Sequence, residues 1–238
     1  MKINRVAITG ATGSLGGALI ARLRDCDRLV ALSRDEVKSG DLAERYADMP
    51  GLRCVLADVR DRDRLREAFR GCDTVIHCAA LKRVTQSVYS PGEMIKTNVQ
   101  GTINVIDAAA DVGVARVLVI SSDKSVEPIN LYGVTKAAAE SYAVQSNSYV
   151  YPRGTRVACV RYGNVLGSRG SVVHAWRAVL RAGAKTLPLM DAAMTRFVIT
   201  LPAAAEFCLD ALADMEGGEI FVPRLPAAHL VELGDALF

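Results

Sequence analysis

Residues 5–17 read RVAITGATGSLGG, and this stretch decides the fold. Arg5 to Thr9 is a short β-branched run of the kind that forms a buried strand. Gly10, Gly13 and Gly16 follow at a spacing of three, and the pattern from Leu15 to Leu23 then reads as a helix. Strand, glycine turn and helix in this order form a cradle for phosphate. The glycines permit a tight turn and the close approach of a pyrophosphate, while the helix N-terminus offers N–H donors and the positive end of its dipole. The glycine pattern alone is weak evidence. Placed after the first strand and before a helix, it makes a dinucleotide the expected ligand.

Working outward, the second strand, Arg28 to Ser33, runs into SRDE. An acid here holds the ribose hydroxyl of NAD, whereas an arginine accommodates the 2′-phosphate of NADP. Arg34, with Lys38 close behind it, favours NADP over the NAD that Asp35 alone would suggest. A third strand, Leu52 to Ala57, ends at Asp58-Val59, an acid and an apolar residue suited to the adenine amine and ring face. The fourth, Thr74 to His77, leads into CAALKR, whose small residues allow close approach and whose Lys82 falls near phosphate or sugar. His77 ends a buried strand and reads as a core histidine. Helices are expected over Asp61–Phe69, Glu93–Val112, Tyr132–Ser146, Val172–Ala182 and Leu201–Met215. Further strands are expected at Arg116–Ile120, Thr155–Tyr162, Phe197–Thr200 and Glu219–Val222. Strands alternating with helices predict an α/β fold, a doubly wound parallel sheet of Rossmann type. Residues 1–164 would form the dinucleotide domain, and residues 165–238 a small, partly interleaved substrate lobe.

Composition excludes other classes. The net charge of +3 is too small for a nucleic-acid footprint, and aromatics at 5% leave no base-stacking platform. No apolar stretch approaches the roughly 20 residues of a membrane span, and the N-terminus has no signal-peptide pattern. The expected location is cytoplasmic. The six cysteines contain no CxxC pair, so no metal site is expected, and Cys54, Cys78 and Cys159 read as small core residues.

The chemistry is concentrated in residues 121–136, SSDKSVEPINLYGVTK. If a helix begins near Asn130, Tyr132 and Lys136 share one face a turn apart. A phenol beside an ammonium ionises more easily, and this pair could take the proton of a substrate alcohol during hydride transfer. Ser121 or Ser122 would orient the hydroxyl. Asp123 and Lys124 form a second acid–base pair in the same stretch, one that plain alcohol oxidation does not require.

At this point the sequence resembles the extended short-chain dehydrogenase/reductase superfamily, through TGATGSLG and Tyr132-Gly-Val-Thr-Lys136. More closely, HCAALKR, SSDKSVEPINLYGVTK, RYGNVLGSRGSVV, MTRF and GGEIFVP resemble the soluble inverting UDP-N-acetylglucosamine 4,6-dehydratases. The resemblance runs from the first strand almost to the last residue. It implies an NADP-dependent lyase that oxidises the sugar at C4 with the help of Tyr132 and Lys136. Lys124 then removes the C5 proton and Asp123 protonates the departing C6 hydroxyl. Hydride returns to C6, and C5 is reprotonated on the opposite face. Related dTDP-glucose dehydratases carry Asp–Glu where this chain has Asp123-Lys124, epimerases carry small hydroxyl residues there, and membrane-bound retaining dehydratases have methionine in place of Tyr132.

The same resemblance implies the binding residues. On the cofactor side these are Thr12, Gly13, Ser14 and Leu15 beside Gly10 and Gly16, and the segment Ser33, Arg34, Asp35, Glu36, Val37 and Lys38. Asp58, Val59, Cys78, Lys82, Ile120 and Ser121 follow, with Tyr132 and Lys136. Val165, Leu166, Gly167, Ser168 and Arg169 would pass the nicotinamide end. Facing the UDP-N-acetylglucosamine would be Lys82, Asn164 and Val172, with Arg196 a candidate for the diphosphate because its fork suits phosphate oxygens. A homo-oligomer is implied. The sequence departs from the family at Arg83, Thr85 and Met190. It also stops at Phe238, before an RPGEK-type motif that helps hold the UDP, so the sugar lobe is expected to be incomplete. Two other readings therefore stay open: a nucleotide-sugar epimerase, and an NADP-binding module without turnover.

Overall fold

The structure, a computed structural model, describes residues 3–237. Phe238 lies outside the described residues. The chain alternates β1 (Arg5–Thr9), α1 (Ser14–Arg22), β2 (Arg28–Ser33), α2 (Glu36–Arg45), β3 (Leu52–Leu56), α3 (Arg62–Phe69) and β4 (Thr74–His77). Two short helices, α4 (Val84–Tyr89) and α5 (Pro91–Ile95), lead through a π turn at Lys96–Gln100 into α6 (Gly101–Asp111). Then come β5 (Arg116–Ile120), a 3-10 turn at Asp123–Ser125, α7 (Leu131–Val150) and β6 (Arg156–Val160). The remainder comprises β7 (Asn164–Leu166), α8 (Val172–Arg181), β8 (Thr195–Thr200), α9 (Leu201–Asp214), β9 (Ile220–Phe221), β10 (Ala227–His229) and α10 (Leu230–Asp235).

Seven strands form one parallel sheet in the order β3-β2-β1-β4-β5-β6-β9. Helices cover both faces, so the central strands are buried continuously rather than alternately. One core packs Leu19 and Ile20 of α1 and Ala204 and Leu212 of α9 on the sheet; the other packs Leu65, Phe69, Val105, Ile106 and Val150. The strand order reverses between β1 and β4, where ligands of such sheets bind. Thr9 pairs with His77 there, so Gly10 and Cys78 leave the sheet side by side. A second sheet, β10-β8-β7, pairs β7 parallel and β10 antiparallel to β8.

Two local features differ from expectation. The helix expected over Glu93–Val112 is interrupted by the π turn. The turn carries Asn98, whose amide donates to Leu81 O (2.8 Å) and Thr135 Oγ1 (3.0 Å) while its oxygen accepts the Leu81 N–H (2.7 Å). A widened turn reaching tertiary partners has no signature in the local pattern. Helix α2 starts inside the expected binding segment, with Asp35 as its N-cap accepting the Lys38 N–H at 3.0 Å.

Candidate active site

The glycine turn is shaped for a close ligand. Gly10 has φ +65°, and a Cβ there would sit 2.8 Å from the backbone of Ala79. A Cβ on Gly16 would lie 2.6 Å from Ala11 Cα, so the third glycine lets α1 pack against the turn. No side chain caps Gly13, the N-cap of α1, which leaves its first N–H groups open. Two cavities of about 300 and 600 Å³ meet at this turn, sharing Gly10, Gly13, Cys78 and Ala80. The trough they form joins the segments expected at the two ends of a dinucleotide, and the uncapped N-terminus of α1 between them fits a pyrophosphate.

Thr12, Ser33, Arg34, Asp35, Lys38, Asp58 and Val59 line the smaller cavity. Thr12 Oγ1 and Ser33 Oγ lie 3.0 Å apart. Asp35 is occupied by Lys38, through its backbone N–H at 3.0 Å and a side-chain ion pair; these contacts hold the carboxyl below its usual range. Asp58 is likewise held low by its hydrogen bonds from Arg60. Of the expected cofactor residues, Glu36, Val37 and Gly167 line neither cavity, and Val37 is exposed on α2.

The larger cavity brings together Ser14, Leu15 and Gly16 of α1, Lys82, Ile120 and Ser121, Tyr132 and Lys136, and Asn164, Val165, Leu166, Ser168 and Arg169. Val172 and Arg196 face it as well. Asn130 caps α7 by accepting the Gly133 N–H at 3.0 Å, which puts Tyr132 and Lys136 in its first two turns. Lys136 is buried and donates to Ile120 O at 2.5 Å. Burial pushes its ammonium down, opposed by Cys159 and Cys78 where they ionise and by the Glu140 carboxylate. Burial pushes the Tyr132 phenol up, a hydrogen bond with Ser122 opposes this, and the Asp123 charge adds to it. The phenol is therefore harder to ionise than an ordinary tyrosine, contrary to the expectation from its Lys136 neighbour, whose ammonium donates to Ile120 O instead. His77 is a core residue: Thr9 Oγ1 lies 2.7 Å from Nδ1 and Thr102 Oγ1 3.1 Å from Nε2, and burial, then the Lys136 charge, pushes it down to about 3.

Asp123 and Lys124 occupy the 3-10 turn after β5. Lys124 Nζ donates to Asp123 Oδ1 (2.8 Å) and to Asn164 Oδ1 (3.0 Å), and Ser122 Oγ lies 2.9 Å from the same Asp123 oxygen. Lys124 and Asn164 line the cavity; Asp123, expected to be catalytic, does not line it and touches the lining through Lys124 and Ser122. The turn rests directly on α7, because a Cβ on Gly133 would lie only 2.2 Å from Lys124 O. Lys82 is pushed down by burial and by the charges of Arg83, Arg169 and Lys124. Lys82 is nonetheless exposed, and a cation crowded by other cations favours an anionic ligand. Arg196 donates to Thr195 O at 2.7 Å while facing the same cavity.

The sequence reading did not single out Tyr162, Gly163, Leu230 and Leu233, which also line the larger cavity. Gly163 in RYGNV carried a signal: a Cβ there would lie 2.4 Å from Phe197 O, where β8 crosses. Leu230 and Leu233, three apart on α10, close the far wall. Met190, one of the departures from the family pattern, is 96% exposed. Among the described residues, no group of His, Cys, Asp and Glu could hold a metal ion, and no helix is long and apolar enough to cross a membrane.

Comparison with known proteins agrees with this arrangement. Residues 6–238 match the family model described as polysaccharide biosynthesis protein. The chain is 42% identical, over 98% of its length and 70% of the relative's, to the inverting UDP-N-acetylglucosamine 4,6-dehydratase of Campylobacter jejuni. It is 38% identical to a UDP-glucose 4-epimerase of Rickettsia massiliae, over 97% of this chain and 69% of that one. Among solved structures, the dTDP-glucose 4,6-dehydratase DesIV of Streptomyces venezuelae, with NAD bound, superposes with a TM-score of 0.87 at 27% identity, covering 98% of this chain and 80% of that one.

Proposed function

The chain belongs to the polysaccharide biosynthesis protein family, and from that premise we propose that it carries out the NADP-dependent 4,6-dehydration of UDP-N-acetylglucosamine with inversion at C5. The observation that carries this reading is the contact of Lys124 with Asp123 and Asn164 in the same cavity as Tyr132 and the glycine turn. Oxidation alone needs only the tyrosine side of that cavity.

When bound, the nicotinamide dinucleotide would supply the hydride acceptor and donor and, in its oxidised form, a positive charge that favours phenolate. The chain's residues handle the protons. Acting as phenolate, once its own proton has left to solvent, Tyr132 would accept the proton of the C4 hydroxyl, while Lys136 donates to Ile120 O beside it. The resulting C4 ketone acidifies the C5 hydrogen. Moving one proton across the 2.8 Å Lys124–Asp123 contact converts ammonium and carboxylate into amine and carboxylic acid. The amine then takes the C5 proton, and the acid protonates the departing C6 hydroxyl. The pair finishes as ammonium and carboxylate, with water released and no net change in its protons. Lys82, Arg169 and Arg196 supply positive charge for the diphosphate. Arg34 and Lys38 favour NADP over NAD.

The test is incubation of the chain with NADP and UDP-N-acetylglucosamine in deuterated water. Mass spectrometry should show loss of one water and deuterium at C5. The likeness to a UDP-glucose 4-epimerase favours a second reading, in which the sugar epimerises. A product of unchanged mass would select it. NADP binding without UDP-N-acetylglucosamine binding in a titration would reject both.

A further inference from the structure

Outside both cavities lies a buried ion pair that the chemistry above does not use. Glu140 stands on α7 one turn beyond Lys136, and Arg161 directly follows β6. The Glu140 side chain is 7% exposed. Its carboxylate accepts the Arg161 Nε–H at 3.1 Å and a second bond from Arg161 Nη2. Ser125 Oγ lies 3.1 Å from Glu140 Oε2 and 2.7 Å from Ser122 O. Ser125 closes the three-residue turn that carries Asp123 and Lys124, so the carboxylate reaches that turn through one hydroxyl.

Glu140 also bears on Lys136. The other titratable groups around that ammonium are His77 at the end of β4, Cys78 just after it, Cys159 on β6, and Tyr132 on α7 itself. Burial pushes both thiols up to about 12 and His77 down to about 3, and it raises the phenol. None of these is charged near neutral pH. Burial opposes ionisation of Glu140 too, but hydrogen bonds from Arg161 and Ser125 hold it below the usual carboxylate range. It is the charged neighbour that remains.

We infer that Glu140, clamped by Arg161, is a positioning residue for both acid–base pairs: through Ser125 it fixes the Asp123–Lys124 turn, and by its charge it keeps Lys136 protonated in a dry site. The first half rests on the dehydration reading; the second requires only that Tyr132 and Lys136 act in oxidation.

Two variants of the full chain, loaded with NADP and mixed with UDP-N-acetylglucosamine, test it. Ser125→Ala should slow C5–H exchange roughly tenfold, as a misplaced base does, while formation of reduced nicotinamide falls about twofold or less. Ser125→Thr should restore exchange. Glu140→Gln removes the anion, which favours neutral lysine and lowers the Lys136 pKa. The alkaline limb of reduced-nicotinamide formation should therefore move to lower pH by about one unit. Equal loss of both steps in Ser125→Ala, or a limb unmoved in Glu140→Gln, overturns the inference. If Glu140→Gln fails to fold because Arg161 is left unpaired, Ser125→Ala with its threonine rescue still decides the turn. Wild-type protein that reduces the nicotinamide but never exchanges C5–H defeats the dehydration reading, and the limb shift then decides the Lys136 half alone.

Discussion

The two acid–base pairs lie within fourteen residues of each other, yet they are built differently. Tyr132 and Lys136 stand in the first turns of the 20-residue helix α7, and Lys136 is 4% exposed. Asp123 and Lys124 stand on a three-residue turn, with side chains 26% and 37% exposed. Regular secondary structure fixes the spacing of the first pair, and burial sets its protonation. The second pair is held by side-chain hydrogen bonds to Ser122 and to Asn164, forty positions along the chain. On the proposed reading, the first arrangement serves oxidation of the alcohol. The second is a local addition that an otherwise unchanged sheet can accept, replace or lose.

The contrast breaks most sharply if the two pairs are disabled separately. Tyr132→Phe removes the proton acceptor for oxidation, so formation of reduced nicotinamide should fall by about 10²–10⁴-fold, with every later step falling with it. Lys124→Met should leave reduced nicotinamide forming on mixing while C5–H exchange drops by a similar factor, about 10²–10⁴. Stopped-flow absorbance reads the first and deuterium incorporation the second. If Lys124→Met abolishes nicotinamide reduction as completely as Tyr132→Phe, the division of labour is wrong.

A smaller effect tests how the two pairs are joined. Gly133 sits where the turn meets α7, and an added Cβ would lie 2.2 Å from Lys124 O and 2.9 Å from Pro128 Cβ. Backbone has to shift to admit it. Gly133→Ala should cost roughly 1–3 kcal/mol, read as a lowered Tm, and should slow C5–H exchange more than nicotinamide reduction. Gly17→Ala on α1 is the control, since its added methyl meets nothing within 4 Å and a helical alanine is favourable. A Gly133→Ala protein as stable as that control would mean the turn and the helix are not in rigid contact.

The same contrast separates what the sequence made legible from what it did not. The glycine turn, the β-branched strands and the Tyr132–Lys136 spacing are local patterns, and each reappears where expected. Sheet order follows from alternating elements and short connections. Three-residue strands such as β7 and β10 were missed, because their pairing with β8 depends on contacts far along the chain. Helix α2 was missed because EVKSGDLAER carries a glycine and few apolar positions. The π turn at Lys96–Gln100 and the Glu140–Arg161 pair were also invisible, since their partners lie on other elements. In the site, residue types were readable but mutual placement was not: nothing local joins Lys124 to Asn164 or brings Leu230 into the cavity.

The smallest effect concerns the far end of the trough, where burial has little say. Arg34 is exposed beside the smaller cavity, and its charge helps to hold Asp58 low. Asp35, the residue that would serve NAD, is already engaged by the Lys38 N–H and ammonium. A ribose 2′-phosphate would meet two cations there and a carboxylate whose charge is largely answered. A 2′-hydroxyl would have to compete with Lys38 for Asp35. Arg34→Ala should therefore weaken NADP by about tenfold, the scale of one charge-assisted hydrogen bond, and leave NAD within about twofold. Lys38→Ala should weaken NADP while freeing Asp35, so the preference moves towards NAD by a smaller factor than the loss of NADP. Competitive titration of the two dinucleotides reads both variants. Added salt should narrow the difference between them, because these groups are solvent-exposed and screened. Equal weakening of NAD and NADP in Arg34→Ala would make that arginine a general phosphate contact and would return the choice of cofactor to Asp35.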